Sequence, residues 1–125
     1  MQGFTNSFAR KLRQNGIWWG KATFSGQLFD LGEYPGAIYE PQSTAKVWGE
    51  VWELRDFRHT IAALDRYEGI AVLDPEYIRQ QIPAVLDNGT DIICWAYLFC
   101  QPTESFNFIP HGNYRKWLSE GKQHL

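Results

Sequence analysis

A glutamate in an unusual place is the first residue of this chain that could do chemistry. Glu68 ends a helical pattern that begins near Phe57, and Gly69 follows as the residue expected to end the helix. At about 100° per residue, three apolar residues share the helix sector of this glutamate: Phe57, Ile61 and Leu64. The pattern predicts that this sector faces a core. A carboxylate there, in the last turn where the helix dipole disfavours an anion, does not serve stability and marks a candidate functional site.

Burial would suit Glu68 to proton transfer. A carboxyl group among apolar side chains has a raised pKa, because burial disfavours its charged form. Such a glutamate can accept and return a proton near neutral pH, as a general acid and base must. The alternative is a capped, paired or partly exposed acid without a catalytic role. Asp65, about 60° away around the helix, is the second candidate carboxylate, and we expect it to be solvated or to cap a loop.

The size and charge of the chain exclude several classes of protein. It has 125 residues, enough for one domain with one core, and a formal net charge of −2. No basic patch suggests a nucleic acid or a membrane surface as a partner. No apolar run reaches the about 18 residues of a transmembrane helix, and the first residues lack the apolar stretch of a signal peptide. We therefore expect a cytoplasmic protein.

The composition also limits which kinds of core and which kinds of site are expected, through the aromatic residues, cysteines and histidines. Six tryptophans and 16% aromatic residues indicate a well-packed β-rich core or a lined pocket. Cys94 and Cys100 lie in one predicted strand, and at ~3.3 Å per residue they would be roughly 20 Å apart, beyond disulfide reach. His59, His111 and His124 are scattered without metal-ligand spacing, so no metal site is expected.

Periodicity and turn signals predict one α+β domain, a small mixed β-barrel with flanking helices. Helices are predicted over residues 6–14, 57–67 and 111–120, with Asp56 as the cap of the middle one. Strands are predicted over residues 17–30, 37–40, 46–54, 77–86 and 91–99. Asn88-Gly89 indicates a hairpin between the last two strands, and glycines in the first strand indicate bulges or sharp bends.

The residues around Glu68 also match a family pattern. Leu64-Asp65-x-Tyr67-Glu68-Gly69 resembles the Leu-Asp-x-Tyr/Phe-Glu-Gly signature of the γ-glutamylcyclotransferase-like superfamily, which includes the AIG2-like proteins. Four further segments resemble the family in the right order: Phe24-x-Gly26-x-Leu28-Phe29-Asp30-Leu31-Gly32-x-Tyr34-Pro35-Gly36, Val47-x-Gly49-Glu50-Val51-Trp52, Trp95-Ala96-Tyr97-Leu98-Phe99 and Gly112-Asn113-Tyr114-Arg115. The resemblance covers most of residues 3–118, and five motifs in series are quite specific.

The resemblance implies a fold, a reaction and a catalytic residue. The family's fold is a small β-barrel with flanking helices, and its active members act on γ-glutamyl amines or γ-glutamyl amino acids without a metal or an organic cofactor. The substrate's α-amino group attacks its own γ-carbonyl, which releases 5-oxoproline and a free amine, a lyase or acyltransferase reaction. Glu68 matches the family's catalytic acid and base.

Five other residues are weaker candidates for substrate binding. Tyr34, Pro35 and Gly36 would line the mouth of the pocket, or they form a plain turn with a surface aromatic. Tyr97 would hydrogen-bond the substrate from a late strand, and ordinary packing is the alternative. Gly3 would retain the last part of the family's N-terminal substrate loop.

The N-terminus departs from the family pattern. The family usually begins with a strand that ends in a Tyr-Gly-Ser/Thr-x-Leu-like loop, whose backbone amides hold the substrate. Here Met1-Gln2-Gly3 stands about where that loop should end. Either the natural chain starts further upstream, or this homologue has lost the first strand. We expect a single domain over residues 1–125 that lacks this strand and loop; if the strand is lost, the sheet has an open edge, which favours a homodimer. The hypotheses are an active cyclotransferase, a non-catalytic binding or oligomerising member of the same fold, or a different amide or acyl transfer.

Overall fold

The computed structural model describes residue 14, residues 16–69 and residues 75–121, but not the side chain of Tyr67. The elements follow in this order: β1 (Gly16–Asp30), β2 (Pro35–Tyr39), β3 (Lys46–Leu54), α1 (Phe57–Glu68), β4 (Tyr77–Leu86), β5 (Asp91–Phe99), β6 (Asn107–Ile109) and α2 (Tyr114–Ser119). All strand pairings are antiparallel. The helix predicted over residues 6–14 lies outside the described residues, except for its last residue.

The long strand β1 joins all parts of the sheet. Its first half pairs with β3 and β4, and its second half pairs with β2 and β6. The register with β3 shifts between Trp18 and Gly20, where Gly20 has a φ of 137° that other residues rarely adopt. This irregularity confirms the bulge that the glycines of the strand predict.

The α+β class is confirmed, but the sheet does not close into a barrel. Strand β2 contacts β5 and the first residue of β4 along what we call the seam, formed by Pro35, Gly36, Tyr77 and Phe99. No strand pairing joins β2 to β5 in the described part of the chain. Pro35 has no N–H to donate, and its carbonyl accepts a hydrogen bond from the Tyr77 side chain at 2.9 Å. Gly36 packs against the Phe99 side chain at the same position.

The sequence predicts the strands better than the helix ends. Strand β3 has its predicted bounds, and the hairpin turn at Asn88-Gly89 is confirmed, with Gly89 at a φ of 86°. The prediction that Asp56 caps α1 is wrong, because its backbone is left-handed (φ 43°) and its side chain makes no capping hydrogen bond. The last helix begins three residues later than predicted, at Tyr114. Gly112 packs so closely on the Lys46 carbonyl that a Cβ would lie 1.6 Å from its oxygen.

Buried side chains form small clusters on the sheet, and Trp117 of α2 belongs to one of them. One cluster consists of Leu28, Val47, Ile109 and Trp117, and a second consists of Ala22, Ala84 and Leu86. Helix α1 contributes a smaller cluster around Leu64. Within residues 16–69 and 75–121, neither helix is long and apolar enough to cross a membrane.

Candidate active site

Helix α1 presents Glu68 at its last position. The helix packs through Leu64, which is buried against partly buried side chains that include Trp52 and Tyr97. Gly69 then adopts the left-handed conformation (φ 70°), and its N–H donates to the Asp65 carbonyl at 2.9 Å. The helix ending predicted from the sequence is thereby confirmed. The expectation that Phe57 faces the core is wrong, because this first residue of α1 is 43% exposed. The helix packs instead through Leu64, with Ile61 partly buried beside it.

The Glu68 carboxyl group is buried and incompletely paired. Its residue is 9% exposed, and no group in the described part of the chain donates a hydrogen bond to its buried Oε2. Burial raises the pKa of Glu68 above its ordinary value of 4.5, and the negative charge of Glu76 raises it further. A carboxyl group with these properties holds a proton more readily than a solvated one and has an oxygen available for a ligand.

Three tyrosines lie close enough to Glu68 for its negative charge to raise their pKa values. Each of them donates its hydroxyl proton to an acceptor of the protein. Tyr34 donates to Oε1 of Glu76 at 2.7 Å, a contact on the exposed side of the site. Tyr77 donates to the Pro35 carbonyl at 2.9 Å across the seam. The third, Tyr97, donates to Oδ1 of Asp65 at 2.6 Å. Because each hydroxyl has only one proton, these oxygens can offer a ligand only acceptor lone pairs.

The same tyrosines remain protonated at neutral pH. The hydrogen bond to Glu76, together with burial, raises the pKa of Tyr34 to about 12. Burial is the main cause of the raised pKa of Tyr77, and Glu76 adds to it. For Tyr97, burial again comes first, followed by its hydrogen bond to Asp65. The site therefore contains neutral hydroxyl groups that point their protons away, and it suits a ligand that donates hydrogen bonds.

Asp65 differs from its sequence-based expectation. It is neither solvated nor a loop cap, because its Oδ1 accepts from both Tyr97 Oη at 2.6 Å and Arg79 Nε at 2.9 Å. The side chains of Arg79 and Asp65 are only 24% and 21% exposed. The ion pair therefore ties the last turn of α1 to strands β4 and β5.

The predicted substrate-binding residues divide into three groups. Tyr34 and Pro35 lie at or beside the seam, and Tyr97 lies under α1, each with the hydrogen bond given above. Gly36 is buried, and a Cβ on it would lie 2.9 Å from Leu31 Cδ1 and 3.0 Å from the Phe99 side chain, so the seam depends on its small size. Gly3 lies outside the described residues. Substrate binding by all of these residues stays a prediction.

Sequence reasoning missed two residues of this site. Tyr77 and Glu76 stand together at the start of β4, far along the chain from Tyr34. The only local signal was a tyrosine at the first position of a strand, which ordinary packing also explains. Within the described ranges, no group of three or more His, Cys, Asp or Glu side chains could hold a metal ion.

Solved structures with this fold are known. The solution structure of YtfP from Escherichia coli is 28% identical to this chain with a TM-score of 0.63, and the match covers 95% of this chain and 89% of YtfP. YkqA from Bacillus subtilis is 21% identical (TM-score 0.66; 95% of this chain, 39% of YkqA). The uncharacterized protein PH0828 from Pyrococcus horikoshii is 15% identical (TM-score 0.63; 96% and 88%). No curated protein matched the chain.

Fold and sequence agree on one class of protein. The arrangement of strands and helices is that of the γ-glutamylcyclotransferase fold. The sequence profile described as gamma-glutamyl cyclotransferase, AIG2-like matches residues 1–116. The chain belongs to this family, which confirms the resemblance drawn from the five sequence motifs.

Proposed function

We propose that this protein is a γ-glutamylcyclotransferase that cleaves a small γ-glutamyl amine or γ-glutamyl amino acid, with Glu68 as general acid and base. The observation that carries the proposal is the buried Glu68 carboxyl group, whose Oε2 has no hydrogen-bond donor among the described residues. Family membership supports the reaction class. The proposal also includes a single domain, a cytoplasmic location and the homodimer predicted from the sequence.

The reaction is an internal acyl transfer. The α-amino nitrogen of the γ-glutamyl group attacks its own γ-carbonyl carbon, so that a C–N bond closes a five-membered lactam ring. The bond from that carbon to the leaving nitrogen breaks, and 5-oxoproline and an amine are released. The α-ammonium nitrogen loses two protons as it becomes the lactam N–H: one before it attacks and one after the new C–N bond has formed. The leaving nitrogen takes up one proton as the old bond breaks and a second when the released amine becomes an ammonium ion. A single carboxyl group can carry these protons in turn.

Glu68 suits these proton transfers because its pKa is raised by burial. An ionised Glu68 takes the proton of the α-ammonium group, and the protonated form then delivers a proton to the leaving nitrogen. Because nucleophile and electrophile belong to one molecule, the protein mainly has to hold the substrate in a ring-closing conformation.

The tyrosine hydroxyls would orient the substrate's α-ammonium group. Tyr34 and Tyr97 each present an oxygen whose proton is committed to a carboxylate, so that oxygen can accept an N–H of the substrate. Pro35 and Gly36 would form the wall of the site at the seam. A loop that contains Gly3 would hold the substrate's carboxylate or carbonyl oxygen.

The proposal is tested by incubating the protein with a panel of γ-glutamyl amines and dipeptides and measuring 5-oxoproline. Glu68→Gln is the inactivating variant, and Glu104→Gln, on an exposed turn, is the matched control. We expect product from the wild type and from Glu104→Gln but not from Glu68→Gln. Equal product from all three would remove Glu68 from the mechanism. No product from any of them, together with calorimetric binding of a γ-glutamyl ligand, would favour a non-catalytic binding protein.

A further inference from the structure

The last turn of α1 holds the Glu68 carboxyl group in a buried position that is unfavourable for its charged form. Other contacts must therefore keep this turn in place. An ionised Glu68 would gain hydration by turning out toward water, since its buried Oε2 has no donor in the described part of the chain. Gly69 follows directly in the left-handed conformation, and as a glycine it has no side chain that could anchor the turn. The nearest buried apolar contact of the helix is Leu64, one turn before Glu68.

Asp65 supplies an anchor on that same turn. Its Oδ1 accepts hydrogen bonds from Tyr97 Oη at 2.6 Å and from Arg79 Nε at 2.9 Å. Tyr97 and Arg79 face each other across the paired strands β4 and β5, so both donors stand on a rigid hairpin. Bonds of this kind, with an ionised partner, are stronger than neutral ones.

Arg79 is itself held in place from the other side. Its guanidinium carbon lies 4.6 Å from the centroid of the Trp95 ring, within the range of a cation–π interaction. The ring therefore restricts the conformations of Arg79 and keeps its Nε directed at Asp65.

We propose that Asp65, held by Tyr97 and Arg79, is a positioning residue that fixes the last turn of α1 and thereby aims the Glu68 carboxylate at the substrate. The inference rests on the proposed function of Glu68. Asp65 acts through Glu68 and does not itself transfer a proton.

The test compares three variants by steady-state kinetics on the folded proteins. Asp65→Ala removes the anchor, and we expect kcat to fall by about 10²-fold with KM within about threefold, because misplacing a catalytic group by about 1 Å costs this much. Asp65→Asn keeps an oxygen that can accept from Tyr97 and Arg79, and we expect kcat within about tenfold of the wild type. Asp91→Ala, at the exposed start of β5, is the matched control and should not change kcat.

Two kinetic results would overturn the inference. One is a kcat for Asp65→Ala equal to that of Asp91→Ala. The other is an Asp65→Asn variant as inactive as Asp65→Ala, because a positioning role requires partial rescue by the conservative change. If Asp65→Ala does not fold, Arg79→Met replaces it, since it removes one donor to Asp65 and has no proposed contact with the substrate; an unchanged kcat there would also overturn the inference.

Amide hydrogen exchange separates this inference from the proposed function. The Gly69 N–H donates to the Asp65 carbonyl at 2.9 Å, so its protection reports whether the last turn stays closed. If the wild type forms no 5-oxoproline but Asp65→Ala loses protection at Gly69, the proposed reaction fails and the anchor stands. If the wild type is active while neither Gly69 protection nor kcat changes in Asp65→Ala, the anchor fails alone.

Discussion

Two carboxylates of this protein are almost equally buried and yet have opposite surroundings. Asp30 is 8% exposed and Glu68 is 9% exposed. Oδ2 of Asp30 accepts from Trp117 Nε1 at 2.9 Å, and its Oδ1 accepts from the Gly32 N–H at 2.8 Å. Glu68 has a buried oxygen for which the described residues provide no donor.

The difference shows which of the two acids serves the fold. Asp30 ends β1, and these two bonds join the C-terminal helix α2 to the loop that leads to Tyr34. The energy of burying its charge is offset by donors that the fold supplies. For the buried Oε2 of Glu68 the described residues supply no such donor, and an arrangement of this kind persists where a ligand or a reaction uses the group.

The largest expected effect is the loss of activity in Glu68→Gln. We expect kcat for 5-oxoproline release to fall by about 10²–10⁴-fold, the usual contribution of a general acid and base. Urea unfolding at neutral pH should show no loss of stability, because the substitution removes a charge that lacks a donor. A free energy of unfolding lower by more than about 1 kcal/mol would mean that the carboxylate has a stabilising partner.

The opposite result is expected for Asp30→Ala. The Trp117 and Gly32 N–H groups would lose their common acceptor, and we expect the free energy of unfolding to fall by about 3 kcal/mol. Asp91→Ala, at an exposed position, should change it by less than about 0.5 kcal/mol. Equal stabilities of these two variants in urea would contradict a structural role for Asp30.

A smaller effect is expected at the seam beside the Glu68 site. In Gly36→Ala the new methyl group would press on Leu31 and Phe99, and overpacking of this kind costs about 1–3 kcal/mol. The matched control is Gly49→Ala, because a Cβ there meets nothing within 4 Å. Thermal unfolding of both variants measures the difference. A Gly36→Ala protein as stable as Gly49→Ala would show that the seam is loosely packed.

The smallest effect is a pH dependence of stability that belongs to Glu68 alone. Because its folded-state pKa is raised above 4.5, the native state binds the proton more tightly than the unfolded chain does. The contribution of Glu68 to stability is therefore greatest below pH 4.5 and declines as pH rises through its folded pKa. We expect the stability of Glu68→Gln relative to wild type to increase over this window. A difference that is constant with pH, or that decreases, would contradict the raised pKa.

Local signals in the sequence predict the position of Glu68 but not the network around it. The helical period and Gly69 are properties of neighbouring residues, and they predict an acid on the inward face at a helix end. The bonds of Asp65 to Tyr97 and Arg79 span 32 and 14 residues, and they depend on the register of β4 with β5. No periodicity encodes such a contact.

Sheet closure and the Asp56 cap could not be predicted for a related reason. A count of strands does not show whether the first and last strands of a sheet pair, and in the described part of the chain β2 and β5 do not. Similarly, an aspartate before a helix predicts a cap only if its backbone is extended, and that of Asp56 is left-handed.

The most direct test of the central claim is a carbon-13 NMR titration of the Glu68 carboxyl carbon in the free protein. The resonance is assigned by its disappearance in Glu68→Gln, and the exposed Glu104 provides an internal comparison. We predict that Glu68 titrates above its ordinary value of 4.5, because burial disfavours its charge. A Glu68 carboxyl group that titrates at or below 4.5 would show that it is well solvated or well paired, and would contradict its role as acid and base.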